Sequence, residues 1–173
     1  MHGMADEAKD GRVRTRVAEL LAKDAIRETL YRELDAQRRR DWAAVRACWV
    51  PGARAELGFD AEPSAEAQLE RLAEAMRGFT ASSLLASNCV IELEPGGAAA
   101  RSSALVLAAH EPPASRDERT QLEALRYADA WTRDETGGWR IAGRRVESLW
   151  RAWLEPRRDD HAGDHRQAAE WER

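Results

Sequence analysis

A change of hydrophobic period near Gly78 divides this chain into two regimes. Upstream, apolar residues recur about every 3.6 residues, the spacing of one face of a helix; downstream they alternate with a period of two, the spacing of a half-buried strand. Ile26, Leu30 and Leu34 predict an amphipathic helix capped by Asp24 and running to about Arg39. A second helix is expected from an Asp41 cap, with Trp42, Val45 and Trp49 on one face and Pro51-Gly52 at its end. Ala53 to Phe59 reads as a short strand or an extended lead-in. Pro63-Ser64 then opens a third helix with Leu69, Leu72 and Met76 on its apolar side. Beyond Gly78 the strand candidates are Asn88–Glu94, Arg101–His110, Leu122–Arg133 and Gly138–Trp150, joined by turn-forming segments that suit hairpins. The expectation is an α+β fold, with N-terminal helices packed on a curved antiparallel sheet.

The 173 residues suffice for one such domain, assigned to residues 17–156. Residues 1–16 are polar and expected to be disordered, and residues 157–173 are expected to form a polar tail. No apolar run approaches the roughly 18 residues of a membrane span. The net charge is −4, and the basic residues are spread along the chain, so neither a membrane nor a nucleic-acid partner is expected. The run Arg38-Arg39-Arg40 suits the C-terminal end of the first helix, where cations complement the helix dipole. Cys48 and Cys89 lack metal or redox spacing and read as reduced thiols of a cytoplasmic protein. Asp159, Asp160, His161, Asp164 and His165 include metal-compatible types, but they fall on the polar tail. No metal and no cofactor is expected.

Several local strings, in this order, resemble the SnoaL-like branch of the superfamily that shares the cone-shaped fold of nuclear transport factor 2. They are Ala25-Ile26-Arg27, Arg40-Asp41-Trp42, Asn88-Cys89-Val90-Ile91-Glu92-Leu93, Tyr127-Ala128-Asp129 and Gly138-Trp139-Arg140-Ile141 leading to Arg145. The resemblance covers about residues 20–155 and implies a cone-shaped α+β barrel, a small-molecule pocket and a homodimer. It also implies relatives among scytalone dehydratase, ketosteroid isomerase and polyketide cyclases. Matched residue by residue, the dehydratase Tyr-Asp pair falls on Gln37 and Arg38. One pocket histidine of the dehydratase falls on Leu84, and the other is kept as His110. The ketosteroid isomerase tyrosine falls on Glu33 and its aspartate base on Leu57. Neither acid–base set is intact.

Strand alternation nominates inward-facing residues. One parity holds Ala104, Val106, Ala108 and His110; another holds Leu122, Ala124, Arg126, Ala128 and Ala130; a third holds Arg140, Ala142, Arg144, Val146, Ser148 and Trp150. These faces suit either a pocket of small side chains or packing beneath the helices. His110 is the acid–base candidate because imidazole titrates near neutrality, with Glu33 or Asp129 assisting. Arg126 and Arg144 have the forked geometry to bind a substrate oxygen, or they pair across strands with Glu123 or Glu147. Asn88 suits either a ligand carbonyl or a backbone bend.

Seven of the eleven aromatic residues are tryptophan. Trp42 and Trp139 read as core anchors, and Trp131 and Trp150 as pocket wall or subunit interface. Two functions remain open. One is a cofactor-independent dehydratase, isomerase or cyclase acting on a small, hydrophobic, oxygenated molecule, its substrate-binding residues being Arg126, Arg144, Gln37, Leu57, Leu84, Asn88, Trp131 and Trp150. The other is a non-catalytic ligand-binding or assembly module.

Overall fold

The computed structural model describes residues 3–113 and 119–155, with side chains from residue 10 onward. The tail string Asp159–His165 lies outside the described residues. Helix α1 spans Gly3–Arg39. It starts well before Asp24, so Asp24 is an interior residue and not a cap. Its second half buries Ile26, Leu30, Glu33, Leu34 and Gln37 against the sheet, while residues 10–21 are exposed. The helix closes with two bonds that bracket Arg40, from Arg40 N to Gln37 O (2.9 Å) and from Asp41 N to Ala36 O (2.9 Å). This is the six-to-one closure of a Schellman end, with the left-handed residue in the position glycine usually takes. Here that residue is Arg40, φ 58°.

Asp41 accepts from Ala44 N at 3.0 Å and starts α2, Trp42–Ala47. The expected second helix is shorter than its apolar spacing implied, because Trp49 and Pro51-Gly52 belong to strand β1, Trp49–Glu56. Ser64 caps α3, Ala65–Met76, as the sequence suggested. Four long strands follow: β2 Ala81–Leu93, β3 Ala99–Glu111, β4 Thr120–Arg133 and β5 Trp139–Leu154.

The sheet order is β1-β5-β4-β3-β2. The four late strands pair as an antiparallel meander, but β1 lies parallel to β5, so the sheet is mixed and not wholly antiparallel. It is also not a closed barrel, since β1 and β2 are its two edges. Helix α1 packs against β2 and β5, and α3 against β1, so helices cover the space that strand pairing would have closed.

Size alternation between neighbouring strands fills the concave face. Most inward residues of β3 are small, and four sit in register with a large or charged residue of β4: Ala100 with Trp131, Ser102 with Asp129, Ala104 with Tyr127 and Ala108 with Glu123. Trp131 is fully buried and donates from Nε1 to Ser102 Oγ at 2.8 Å. Trp139 is buried and Trp42 packs partly buried on the core.

Two bulges set what β5 presents. Trp131 faces Ile141 while Ala130 faces Gly143, so Ala142 is extra; Ala124 faces Trp150 while Leu125 faces Ser148, so Leu149 is extra. Each extra residue reverses the inward parity of the residues beyond it.

The segment between β1 and α3 is fastened from below by Gln68, a buried residue of α3. Its Oε1 accepts from Leu57 N at 3.0 Å, and its Nε2 donates to Phe59 O (3.2 Å) and Ala61 O (3.1 Å). Gln68→Leu removes the side-chain partners of the half-buried Leu57 amide and Ala61 carbonyl and is expected to cost about 1–3 kcal/mol. Urea unfolding measures the loss, and hydrogen exchange at the Leu57 amide should accelerate.

Candidate functional site

Between the concave face of the sheet, α3 and the Leu57–Phe59 segment lies a cavity of about 420 Å³. Its size is that of an ordinary small-molecule site. Leu57, Leu72, Met76, Phe79, Leu84 and Val146 provide apolar wall, and the polar groups gather in two places.

The first polar group is centred on His110. Its Nδ1 shares a 2.9 Å hydrogen bond with Ser82 Oγ, and Phe79 stacks on the imidazole with centroids 4.7 Å apart and planes 24° from parallel. Burial pushes the His110 pKa below its ordinary 6.5; Glu123 opposes the shift, and Arg151 and Arg40 add to it. A buried imidazole is therefore neutral at neutral pH and available as a base. Beside it, Glu123 Oε1 accepts from Ser148 Oγ at 2.7 Å and from Arg151 Nη2 at 2.8 Å.

The second group is a buried ionic triad at the inner end. Arg144 donates from Nε and Nη2 to Asp129 Oδ1 and Oδ2 (2.7 and 2.9 Å), and from Nη1 to Glu33 Oε2 at 3.0 Å. The side chains of Glu33 and Asp129 are 0% exposed and that of Arg144 is 1% exposed. Gln37, one turn after Glu33, donates to Glu33 Oε1 at 2.5 Å. The guanidinium lies over Tyr127, 4.3 Å from the ring centroid, and faces Trp49 at 5.3 Å. Burial works against the guanidinium charge, but Asp129 and Glu33 outweigh it and hold the Arg144 pKa above its ordinary value. Tyr127 also lines the cavity. Its hydroxyl has no hydrogen-bond partner among the described residues, and burial raises its pKa, so it remains a neutral phenol.

The structure brings together His110, Arg144, Gln37, Leu57 and Leu84 on the cavity wall. Glu33 and Asp129 lie behind Arg144, where they hold the guanidinium and do not line the cavity. Four expected binding residues lie elsewhere. Arg126 is exposed and pairs with Glu147 at 3.1 Å, because the inward parity of β4 is the opposite one. Trp131 is inward but belongs to the packed core. Trp150 is exposed, turned outward by the bulge at Leu149. Asn88 is exposed at a β2 bulge with φ 49°, a left-handed conformation that asparagine tolerates better than most residues. Its role there is the backbone bend.

Sequence reasoning alone does not single out Tyr127, Glu123, Ser148, Arg151 and Phe79 as site residues. The usable signal is size complementarity. With small residues inward on β3, the large side chains of β4 have to face inward, which selects Glu123, Leu125, Tyr127, Asp129 and Trp131. Arg151 carries no such signal, because the Leu149 bulge moves it to the cavity side. Among the described residues no group of three or more His, Cys, Asp or Glu is placed to hold a metal ion. No helix among them is long and apolar enough to cross a membrane.

The SnoaL-like domain profile matches residues 18–145, most of the chain. The chain belongs to the SnoaL-like domain family. A search of curated protein sequences found no match. Among solved structures, the chain is similar to a candidate scytalone dehydratase from Novosphingobium aromaticivorans DSM 12444. That pair has TM-score 0.71 and 17% identity, covering 82% of this chain and 93% of the other. It is also similar to hexachlorocyclohexane dehydrochlorinase LinA-type3 from Novosphingobium barchaimii LL02, with TM-score 0.68 and 15% identity over 80% and 94% of the two chains. A third is a candidate dehydratase of the NTF2-like family from Streptomyces avermitilis, with TM-score 0.62 and 12% identity over 75% and 97%. At these identities the likeness establishes the cone-like fold of the SnoaL-like domain, and the chemistry has to be argued from the cavity.

The triad carries two carboxylates and one guanidinium, so its members are not equivalent. Arg144→Met leaves two buried carboxylates without a cation, whereas Asp129→Asn leaves the Arg144–Glu33 pair. Arg144→Met is expected to lose about 3–5 kcal/mol or more, and Asp129→Asn less. Urea unfolding of both variants at pH 7 checks the order.

Proposed function

We propose that this SnoaL-like protein binds a small, largely apolar molecule bearing a carbonyl oxygen and catalyses a cofactor-free elimination or isomerisation, with His110 as the base. The observation that carries this reading is a buried, neutral imidazole on the wall of a cavity that also holds unused hydrogen-bond donors. In the tautomer that donates from Nδ1 to Ser82 Oγ, Nε2 is the proton acceptor. The Tyr127 hydroxyl and the guanidinium N–H groups of Arg144 not spent on Glu33 and Asp129 suit a substrate oxygen that becomes an enolate. In a dehydration of a β-hydroxy ketone, the C–H proton goes to His110, the carbon–carbon double bond forms, and the C–O bond breaks. The departing hydroxyl takes the proton back from His110 and leaves as water, with no change of oxidation state. Glu123, held by Ser148 and Arg151, lies beside the imidazole and steadies its protonated form. A cytoplasmic setting, expected from the two reduced cysteines, belongs to the same proposal.

The test is a panel of β-hydroxy ketones and related enones, with turnover followed by mass spectrometry. For any compound turned over, His110→Gln is expected to lower kcat by about 10²–10⁴-fold. The wild-type rate should fall on the acid side with an apparent pKa below 6.5, since protonation removes the base. Unchanged turnover in His110→Gln would overturn the assignment.

Assembly is a second proposal, and it concerns the opposite face of the sheet. What supports a homodimer is a cross-strand row of Leu85, Leu107, Ala124 and Trp150 in mutual register on the outer face. Leu85 is 59% and Trp150 48% exposed. The adjoining row brings Arg126 and Glu147, already paired with each other, so a second copy meets a patch that is apolar and locally neutral. Light scattering should give a dimer mass for the wild type and a monomer mass for Leu107→Asp. A monomeric wild type at tens of micromolar would refute it.

A further inference from the structure

The run Arg38-Arg39-Arg40 does not act as a unit. Arg38 and Arg39 stay on the surface and both pair with Asp35, at 2.8 and 2.9 Å. Arg40 turns the other way. It sits at the left-handed closing position of α1, φ 58°, where glycine meets no steric cost and arginine does. Keeping a long cationic side chain at such a position calls for a use of that side chain. Its Nη2 donates to the carbonyl oxygen of Phe79, in the turn between α3 and β2, and that hydrogen bond joins segments 39 residues apart in the chain. The ring of the same Phe79 is stacked on His110. On the other side of the turn, Thr80 N and Oγ1 both bond Glu111 O, at 2.7 and 3.0 Å, so the phenylalanine is held between two anchors.

We propose that Arg40 is a positioning residue for His110: by holding the Phe79 carbonyl it keeps the aromatic ring on the imidazole and thereby sets how readily His110 takes a proton. The stacked ring displaces water from one face of the imidazole, and an imidazolium without that water is disfavoured. The other groups around the imidazole come from every neighbouring strand. Ser82 on β2 bonds Nδ1, Glu111 adjoins it on β3, Glu123 on β4 favours the charged form, and Arg151 on β5 disfavours it. Arg40 also disfavours the charged form by its own positive charge, and the combined variants below separate that effect from the stacking.

The inference rests on His110 being the base of the cavity, but its test needs no substrate. Failure here leaves the catalytic reading untouched, and loss of that reading leaves the titration intact. The His110 ring Cε1–H signal, assigned by its disappearance in His110→Gln, is followed by NMR from pH 4 to 8. Arg40→Gly removes the side chain while supplying the residue best suited to the left-handed backbone; Arg40→Asn is a second variant that also tolerates it. Each is expected to raise the apparent pKa of His110 by about 0.5 unit or more, roughly a threefold gain in proton affinity. Phe79→Ala is expected to raise it at least as far, and combining it with Arg40→Gly should add little further, as for two residues acting through one contact. Titration of both Arg40 variants at the wild-type pKa would overturn the proposal. So would shifts from Arg40→Gly and Phe79→Ala that simply add, because Arg40 would then act by its charge alone.

Discussion

The buried guanidinium of Arg144 is the interaction on which the inner end of this molecule depends. It is contributed by β5, bridged to Asp129 on the neighbouring β4 and to Glu33 on α1, and flanked by Tyr127 and Trp49. Thus one side chain joins β4 and β5, the long helix and the start of β1. A charge taken this far from water is tolerable only when it is paired, and two carboxylates supply that pairing through three of its five N–H groups. Arg144 and Tyr127 also line the cavity, so the interaction that ties the elements together places hydrogen-bond donors in its wall.

The two ends of the cavity have different chemistry for a structural reason. At the inner end, α1 delivers Glu33 and Gln37 one turn apart, and donors dominate. Nearer the ends of β3 and β5, the strands deliver His110, Glu123, Ser148 and Arg151, and proton acceptors come into play. Side chains of α3 and the Leu57–Phe59 segment add apolar wall, and burial with Phe79 stacked on its ring favours the neutral form of the imidazole. In the function proposed above, a small oxygenated molecule spanning the cavity would meet a hydrogen-bond donor at one end and the base at the other.

Much of the architecture is legible from local pattern. The change of period at Gly78, the Asp41 and Ser64 caps and the four long strands correspond to elements of the structure, because each is governed by neighbours within a few residues. Trp49 reads as helical from sequence but is not, since its spacing from Trp42 and Val45 fits a helix face as well as the first residue of β1. The parallel pairing of β1 with β5 joins segments about ninety residues apart and leaves no local mark. The site is half legible. His110, Arg144, Gln37, Leu57 and Leu84, all nominated from the sequence, lie on the cavity wall. Glu33 and Asp129 stand behind the guanidinium and do not line the cavity.

The order of elements, the helix caps, the alternation within each strand and the family strings are properties of adjacent residues, and the amino-acid sequence already contains them. Which face of a strand looks inward is another matter. On β4 it depends on β3 presenting small side chains opposite, and on β5 on two extra residues, Ala142 and Leu149, that exist as bulges only when paired with β4. Parity is a relation between strands, so the placement of Arg126, Trp150, Tyr127 and Arg151 emerges only when the sheet is assembled.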